Sequence, residues 1–187
     1  MGSYSEANDV LHGFLRGPNG AFTVFDPPGS IDTGAAAVNQ DGAITGFFGS
    51  SIVNGSLIAH GFLRTRNGTF TTFDPTGSAS TAPTAINPGK TIAGLYSDAN
   101  GVLHGFLRPP SGAVTTLDLP GTLSPFFPSV AGISPAGAIA GFYIDASWLP
   151  ACPRWRYHHV RSAGLRANPG LRHQPGGGNR WKLPFFF

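Results

Sequence analysis

Histidines and aspartates recur in this chain at one fixed separation, and both residue types can bind metals or transfer protons. The pentapeptide His-Gly-Phe-Leu-Arg begins at His12, His60 and His104, and an aspartate follows each histidine after 14 residues. Histidines that converged from three repeats could bind a metal ion, and carboxylates at a defined separation could hydrolyse glycosides. The three aspartates are Asp26, Asp74 and Asp118.

A structural role is the stronger interpretation of these residues. A residue that recurs in every repeat usually performs the same structural task each time, whereas glycoside hydrolysis needs two carboxylates in different environments. We expect the histidines to hydrogen-bond a neighbouring turn or strand, and the aspartates to cap turns through their own side chains. We therefore predict no catalytic residue, no metal site and no cofactor. The residues predicted to hold the repeats together are His12, His60, His104, Asp26, Asp74, Asp118, Gly13, Gly61, Gly105, Asn39 and Asn87.

The segments that carry these residues have the composition of short β-strands. Residues 60–64 and 69–74 flank Asn67 and Gly68, a pair that predicts a two-residue hairpin turn because both residues tolerate positive φ. A second hairpin is predicted in each unit, where a strand ending in Asn or Ser is followed by a Gly-containing turn and an apolar strand such as 91–96. Two hairpins per unit give four short strands.

The spacing between units predicts the fold class. Successive histidines lie 48 and 44 residues apart, and four strands in a unit of this length are typical of a β-propeller blade. We predict an all-β fold of propeller-like repeats, with about three intact units in residues 1–145. The alternative is a β-solenoid of stacked hairpins. Because closed propellers usually need at least four blades, three units should form an open arc whose exposed edges favour self-association.

The composition excludes several classes of protein. The 27 glycines and 17 prolines among 187 residues argue against a helical bundle, and a hydrophobic content of 41% is too high for a wholly disordered chain. No run of apolar residues is long enough for a transmembrane helix. The first residues lack the charged and apolar regions of a signal peptide.

The positive charge of the chain is confined to its last part. The formal net charge is +3. Residues 1–145 contain five basic and nine acidic residues, whereas residues 146–187 contain seven basic residues and no acidic one. A basic segment that contains aromatic residues can bind nucleic acid. We predict no nucleic-acid partner, because the segment has a simpler explanation.

The tryptophans indicate that residues 146–187 are a fourth repeat translated in the wrong frame. When each Trp codon, TGG, is read one nucleotide later together with the codon that follows, it encodes glycine. The positions 87 residues earlier are all glycines of the repeat, so the shifted segment would continue the pattern. We expect residues 146–187 to be irregular or disordered, and the alternative is a genuine basic tail. The three tryptophans are Trp148, Trp155 and Trp181.

The repeated motifs resemble those of the HAF-type bacterial extracellular repeat family. The resemblance is carried by residues 12–16, 25–29, 86–88 and 92–96 and extends over residues 2–145. It implies a secreted or envelope-associated bacterial protein with propeller-like β-repeats and no established activity. Since this chain begins within a repeat and lacks a signal peptide, we expect an N-terminally truncated reading frame.

These observations predict a non-enzymatic repeat module with a binding or structural role and an unidentified ligand. The candidate partners are a surface glycan and a protein. One alternative is a fragment of a glycan-acting propeller enzyme, and another is a non-functional product of a frameshifted gene.

Overall fold

The computed structural model describes residues 1–7, 9–117, 129–142 and 157–160. Within these ranges the chain forms antiparallel β-strands and no helix, which confirms the predicted all-β class. The strands are β1 (Gly2–Ser5), β2 (Leu11–Arg16), β3 (Phe22–Phe25), β4 (Asp32–Val38), β5 (Ile44–Val53), β6 (Ser56–Arg64), β7 (Phe70–Phe73), β8 (Ser78–Ile86), β9 (Ile92–Asp98), β10 (Leu103–Arg108), β11 (Thr115–Leu117), β12 (Ser129–Ile133), β13 (Ile139–Phe142) and β14 (Tyr157–Val160).

Consecutive strands pair to form four sheets within the described ranges, and none of the sheets is closed. Sheet A contains β1–β3, sheet B contains β4–β7, sheet C contains β8–β11 and sheet D contains β12–β14. Sheets B and C thus each join the second hairpin of one sequence unit to the first hairpin of the next. The link is the pairing of strands such as β5 and β6, where Phe48 lies opposite His60.

The predicted hairpin between β6 and β7 is present, but its turn differs from the expected type. Only Gly68 has a positive φ, at 94°, and its N–H donates to the carbonyl of Thr65. This is a type I turn followed by a left-handed glycine, which gives a three-residue loop. The two-residue turn with positive φ at both positions lies instead between β5 and β6, at Asn54 (52°) and Gly55 (78°).

Sheet B is covered on both faces, which explains how adjacent residues of one strand can both be buried. Phe62 belongs to a cluster with Phe25 of sheet A, whereas Leu63 belongs to a cluster with Ile86 and Phe106 of sheet C. Because successive side chains of a strand point to opposite faces, β6 contributes to both clusters. The core of the protein therefore consists of apolar layers between stacked sheets.

The predicted division at residue 145 falls largely outside the described residues. Of residues 146–187, the structure describes Tyr157–Val160, which form β14 and pair with β13. Asp118 also lies outside the described residues. Among those that are described, no helix has the length and apolar character needed to cross a membrane.

Candidate functional site

The histidine and the aspartate of one unit are brought into direct contact by the hairpin that joins them. His12 Nδ1 lies 2.8 Å from Asp26 Oδ2, and His60 Nδ1 lies 2.7 Å from Asp74 Oδ2. Pairing of Gly61 with Phe73 fixes this register, because the next positions outward on the two strands are His60 and Asp74. A carboxylate only accepts hydrogen bonds, so Nδ1 carries the proton.

An aromatic ring lies against each histidine from the strand on its other side. The ring centroids of Tyr4 and His12 are 5.6 Å apart, and those of Phe48 and His60 are 5.3 Å apart. In sheet C, His104 stacks on its cross-strand partner Tyr96 at 4.9 Å. His104 thus has the same place in its sheet as the other two histidines. Its sequence partner Asp118 is the aspartate that is not described.

The third neighbour of the histidine differs between units. It is the residue two positions after the aromatic partner, and it faces Nε2. Glu6 Oε1 lies 3.8 Å from His12 Nε2, and Asp98 Oδ2 lies 3.8 Å from His104 Nε2. The middle unit has a serine there: Ser50 Oγ lies 3.0 Å from His60 Nε2. The contact at Nδ1 is thus the same in the two units whose aspartate is described, whereas the neighbour of Nε2 differs between units.

Two of these groups have shifted pKa values. The pKa of His12 is raised by its hydrogen bond to Asp26 and by the nearby carboxylates, against an opposing effect of desolvation. The pKa of Asp98 is lowered, first by the hydrogen bond from the Val102 N–H and then by those from Asn100. Both shifts favour the charged form of the side chain in the folded protein.

We expect the His12→Gln substitution to destabilise the protein more at acidic than at alkaline pH. A histidine with a raised pKa stabilises the fold fully below its unfolded pKa of about 6.5, and this stabilisation is lost as pH rises through the folded pKa. The free energy of unfolding of wild type and variant should therefore differ more at about pH 5.5 than at about pH 9. Urea titrations at both values measure this, with Asn19→Ala as the control. An equal difference at both pH values would contradict the raised pKa of His12 in the folded protein.

The glycine that follows each histidine lies beneath a side chain of the neighbouring strand. A Cβ on Gly13 would lie 2.6 Å from Phe25 Cε2, and one on Gly61 would lie 2.8 Å from Phe73 Cε2. At Gly105 the nearest atom would be the carbonyl oxygen of Leu117, at 2.9 Å. Glycine at this position lets the hairpin partner cover the backbone closely.

The repeated asparagines link one sheet to the next. Asn39 Nδ2 donates to the carbonyl oxygen of Asn87 at 3.1 Å, and Asn87 Nδ2 donates to the carbonyl oxygen of Ser134 at 3.2 Å. Each asparagine also accepts, through Oδ1, the N–H of the residue four positions later, which is Ala43 or Thr91. These asparagines therefore close a turn in their own sheet and join it to the next sheet.

The arginine of each pentapeptide stacks on a phenylalanine. The guanidinium of Arg64 lies 5.0 Å from the ring centroid of Phe25 in sheet A, and that of Arg108 lies 4.7 Å from that of Phe73 in sheet B. Arg108 is 6% exposed, and its burial lowers its pKa. Such contacts between sheets combine apolar burial with attraction between the cation and the ring.

Sequence reasoning missed three features of this site. Ser50 stands where the other units have Glu6 and Asp98, and only the longer spacing of 48 residues distinguishes its hairpin in the sequence. Thr81 is fully buried and donates from Oγ1 to Asp74 Oδ1 at 2.6 Å, a contact between two sheets. The arginines appear in the sequence only as the last residue of the pentapeptide, and nothing local shows that Arg64 and Arg108 stack on a phenylalanine of the preceding sheet.

No group of three or more His, Cys, Asp or Glu side chains that could hold a metal ion occurs in the described ranges. Comparisons with family models, with curated proteins and with solved structures find no match to this chain.

Proposed function

We propose that this chain is a β-repeat module of a secreted or envelope bacterial protein, with a binding or structural role. The observation that carries the proposal is the use of recurring side chains to join sheets. Asn39 and Asn87 each donate to the next sheet, and Arg64 and Arg108 each stack on the sheet before. Side chains used in this way build a rigid scaffold from identical parts. The bacterial and extracellular assignment depends on the motif resemblance.

We further propose that the sheets are arranged as blades of an open, propeller-like arc. The first strand of each four-stranded sheet packs against the first strand of its neighbour, since β4 contacts β8 and β8 contacts β12. The asparagine contacts run between these first strands or their ends. Such an arrangement supports innermost strands grouped around an axis, as in propeller blades. A solenoid of stacked hairpins remains the alternative.

The binding surface in this proposal is the outer face of sheet A. Tyr4, Phe14, Arg16, Phe22 and Val24 lie on this face, because their cross-strand pairing puts them on one side of the sheet. Phe22 is 65% exposed, and its ring centroid lies 5.7 Å from that of Phe14. A contiguous exposed apolar patch of this kind is typical of an interaction site.

The corresponding faces of sheets B and C indicate what covers such a surface. In sheet B, Phe25 of the preceding sheet packs on Phe62 and Phe70 and lies under the Arg64 guanidinium. In sheet C, Phe73 of the preceding sheet packs on Phe106 in the same way. The partner that fits the face of sheet A is therefore another sheet of this repeat, and we assign it to a second copy of the chain.

We expect the purified chain to self-associate through this face. Sedimentation velocity at increasing concentration should show dimers of the wild type, whereas a Phe22→Ser, Val24→Ser double variant should remain monomeric. Val53→Ser provides the control, because Val53 is exposed but lies at the tip of the β5–β6 hairpin.

Two results would overturn this assignment. One is a folded wild type that stays monomeric throughout the concentration range. The other is binding to an immobilised glycan array that the Phe22→Ser, Val24→Ser variant loses while its sedimentation is unchanged, because the face would then be a sugar-binding surface.

A further inference from the structure

The middle unit departs from the repeat at the end of its longest hairpin. Strands β5 and β6 extend past the histidine to the turn at Asn54 and Gly55. The pairing shifts between Gly49 and Ser51, so that Ser50 is an extra residue in β5. An extra residue of this kind is a β-bulge, which bends the strand and redirects a side chain, and bulges are over-represented beside active sites. Here the redirected side chain is the serine that contacts His60.

A continuous chain of hydrogen bonds runs from this serine to the interior. Ser50 Oγ lies 3.0 Å from His60 Nε2, and His60 Nδ1 donates to Asp74 Oδ2 at 2.7 Å. Asp74 Oδ1 in turn accepts from the buried Thr81 Oγ1 at 2.6 Å. Since Nδ1 carries the proton, Nε2 of the neutral imidazole accepts the hydrogen bond from the Ser50 hydroxyl. A serine oriented toward a histidine that is itself held by an aspartate is the arrangement that activates a nucleophile.

The other described units lack this arrangement, although they contain the same histidine. His12 Nε2 faces the carboxylate of Glu6, and His104 Nε2 faces that of Asp98, so neither has a hydroxyl at that place. In sheet A, moreover, Asp26 Oδ1 is buried and has no hydrogen-bond partner in the described part of the chain, whereas Asp74 Oδ1 has Thr81. The asymmetry that catalysis requires is thus present in the middle unit.

We propose that Ser50 is a nucleophile for acyl transfer, with His60 as its general base and Asp74 as the positioning residue for His60. This inference goes beyond the scaffold role, because it concerns one hairpin and does not depend on what covers sheet A. Thr81 positions Asp74 from the neighbouring sheet. The substrates of this proposed reaction are small activated carboxylic esters.

The chemical step uses only these groups, the ester and water. Ser50 Oγ attacks the carbonyl carbon while His60 Nε2 takes the hydroxyl proton, and the Oγ–C bond forms. The bond from carbon to the alcohol oxygen then breaks, and the alcohol leaves with the proton from Nε2. Water attacks the acyl-serine with the same base and releases the carboxylic acid, which restores the serine.

The hairpin that carries Ser50 is open to solvent and also carries exposed apolar side chains. Ser50 is exposed, so an ester can reach it without a change in the fold. Ile52 and Val53, which follow it on the same strand, are 64% and 50% exposed. Because successive side chains of a strand point to opposite faces, they give each side of the hairpin an exposed apolar residue. Exposed apolar side chains on a hairpin tip have no evident role in joining the sheets.

We expect a fluorophosphonate probe to label the full chain at one residue, Ser50. The probe reports the nucleophile directly, because Oγ attacks phosphorus, fluoride leaves and the proton passes to His60. Peptide mass spectrometry of the labelled chain should find the adduct on Ser50, and Ser50→Ala should abolish it. His60→Gln should lower the labelling rate by about 100-fold or more, which is the usual contribution of a general base.

Two variants control for indirect effects. Ser51→Ala removes the adjacent exposed serine and should label like the wild type. His12→Gln removes the equivalent histidine of sheet A and should also label like the wild type, provided that circular dichroism shows a folded chain. Wild-type labelling at Ser50 no greater than at Ser51, or a rate that is unchanged in a folded His60→Gln variant, would overturn the proposal.

Discussion

Replacement of Gly94 by alanine is expected to destabilise this protein severely. Gly94 lies in β9, opposite Pro83 and Phe106 in the two neighbouring strands. A Cβ at this position would lie 2.5 Å from the carbonyl oxygen of Ala82 and 2.6 Å from Pro83 Cα. Both atoms belong to the backbone of β8, so no rotation of a side chain relieves the overlap. We expect a loss of about 4 kcal/mol or more in the free energy of unfolding.

The measurement is urea denaturation followed by far-ultraviolet circular dichroism. Gly77→Ala provides the matched control, because Gly77 has a φ of 80° but nothing within 4 Å of an added Cβ. It should cost only about 1 kcal/mol, which is the usual penalty for a side chain in the left-handed region. A Gly94→Ala variant as stable as Gly77→Ala would show that the sheets adjust more easily than their packing indicates.

The strands and their local pairing could be predicted from the sequence because short-range signals determine them. His60 and Asp74 are separated by the same number of residues as the corresponding pairs in the other units. Once the turn between their strands is fixed, this separation determines the register of the hairpin and brings the two side chains into contact. The prediction of a two-residue turn was wrong because Asn67 and Gly68 are compatible with two loop lengths. Only the observed pairing of Arg64 with Phe70 selects the longer one.

The contacts between sheets could not be predicted, because they depend on how distant strands pack. Thr81 reaches Asp74 across a sheet boundary, and no local pattern marks a threonine in β8 as a partner of that aspartate. Ser50 was missed for a related reason. Its direction is set by a β-bulge, and a shift of one residue in pairing moves a side chain to the opposite face.

The asparagine contacts give the second large effect, which we expect from Asn87→Ala. Asn87 is 4% exposed, and the substitution removes both its donation to Ser134 and its acceptance of the Thr91 N–H. Leaving buried polar groups without partners costs about 1–3 kcal/mol per group. We expect a total loss of about 2–3 kcal/mol, measured by urea denaturation.

Asn87→Ser separates the two functions of this side chain, and the protein itself supplies the precedent. Ser134 occupies the equivalent place before β13, where its Oγ accepts the N–H of Ala138 at 2.9 Å. A serine at position 87 should therefore keep the turn within sheet C and lose only the hydrogen bond to sheet D, at a cost of about 1 kcal/mol. Asn19→Ala, which removes one exposed hydrogen bond to the Ala21 N–H, is the control and should cost less than either. If Asn87→Ala cost no more than Asn19→Ala, the asparagines would not be joining the sheets. We expect the loss of stability in Asn87→Ser to lie between those of Asn19→Ala and Asn87→Ala. The loss in Asn87→Ser then measures the hydrogen bond between sheets, and the additional loss in Asn87→Ala measures the hydrogen bond that closes the turn.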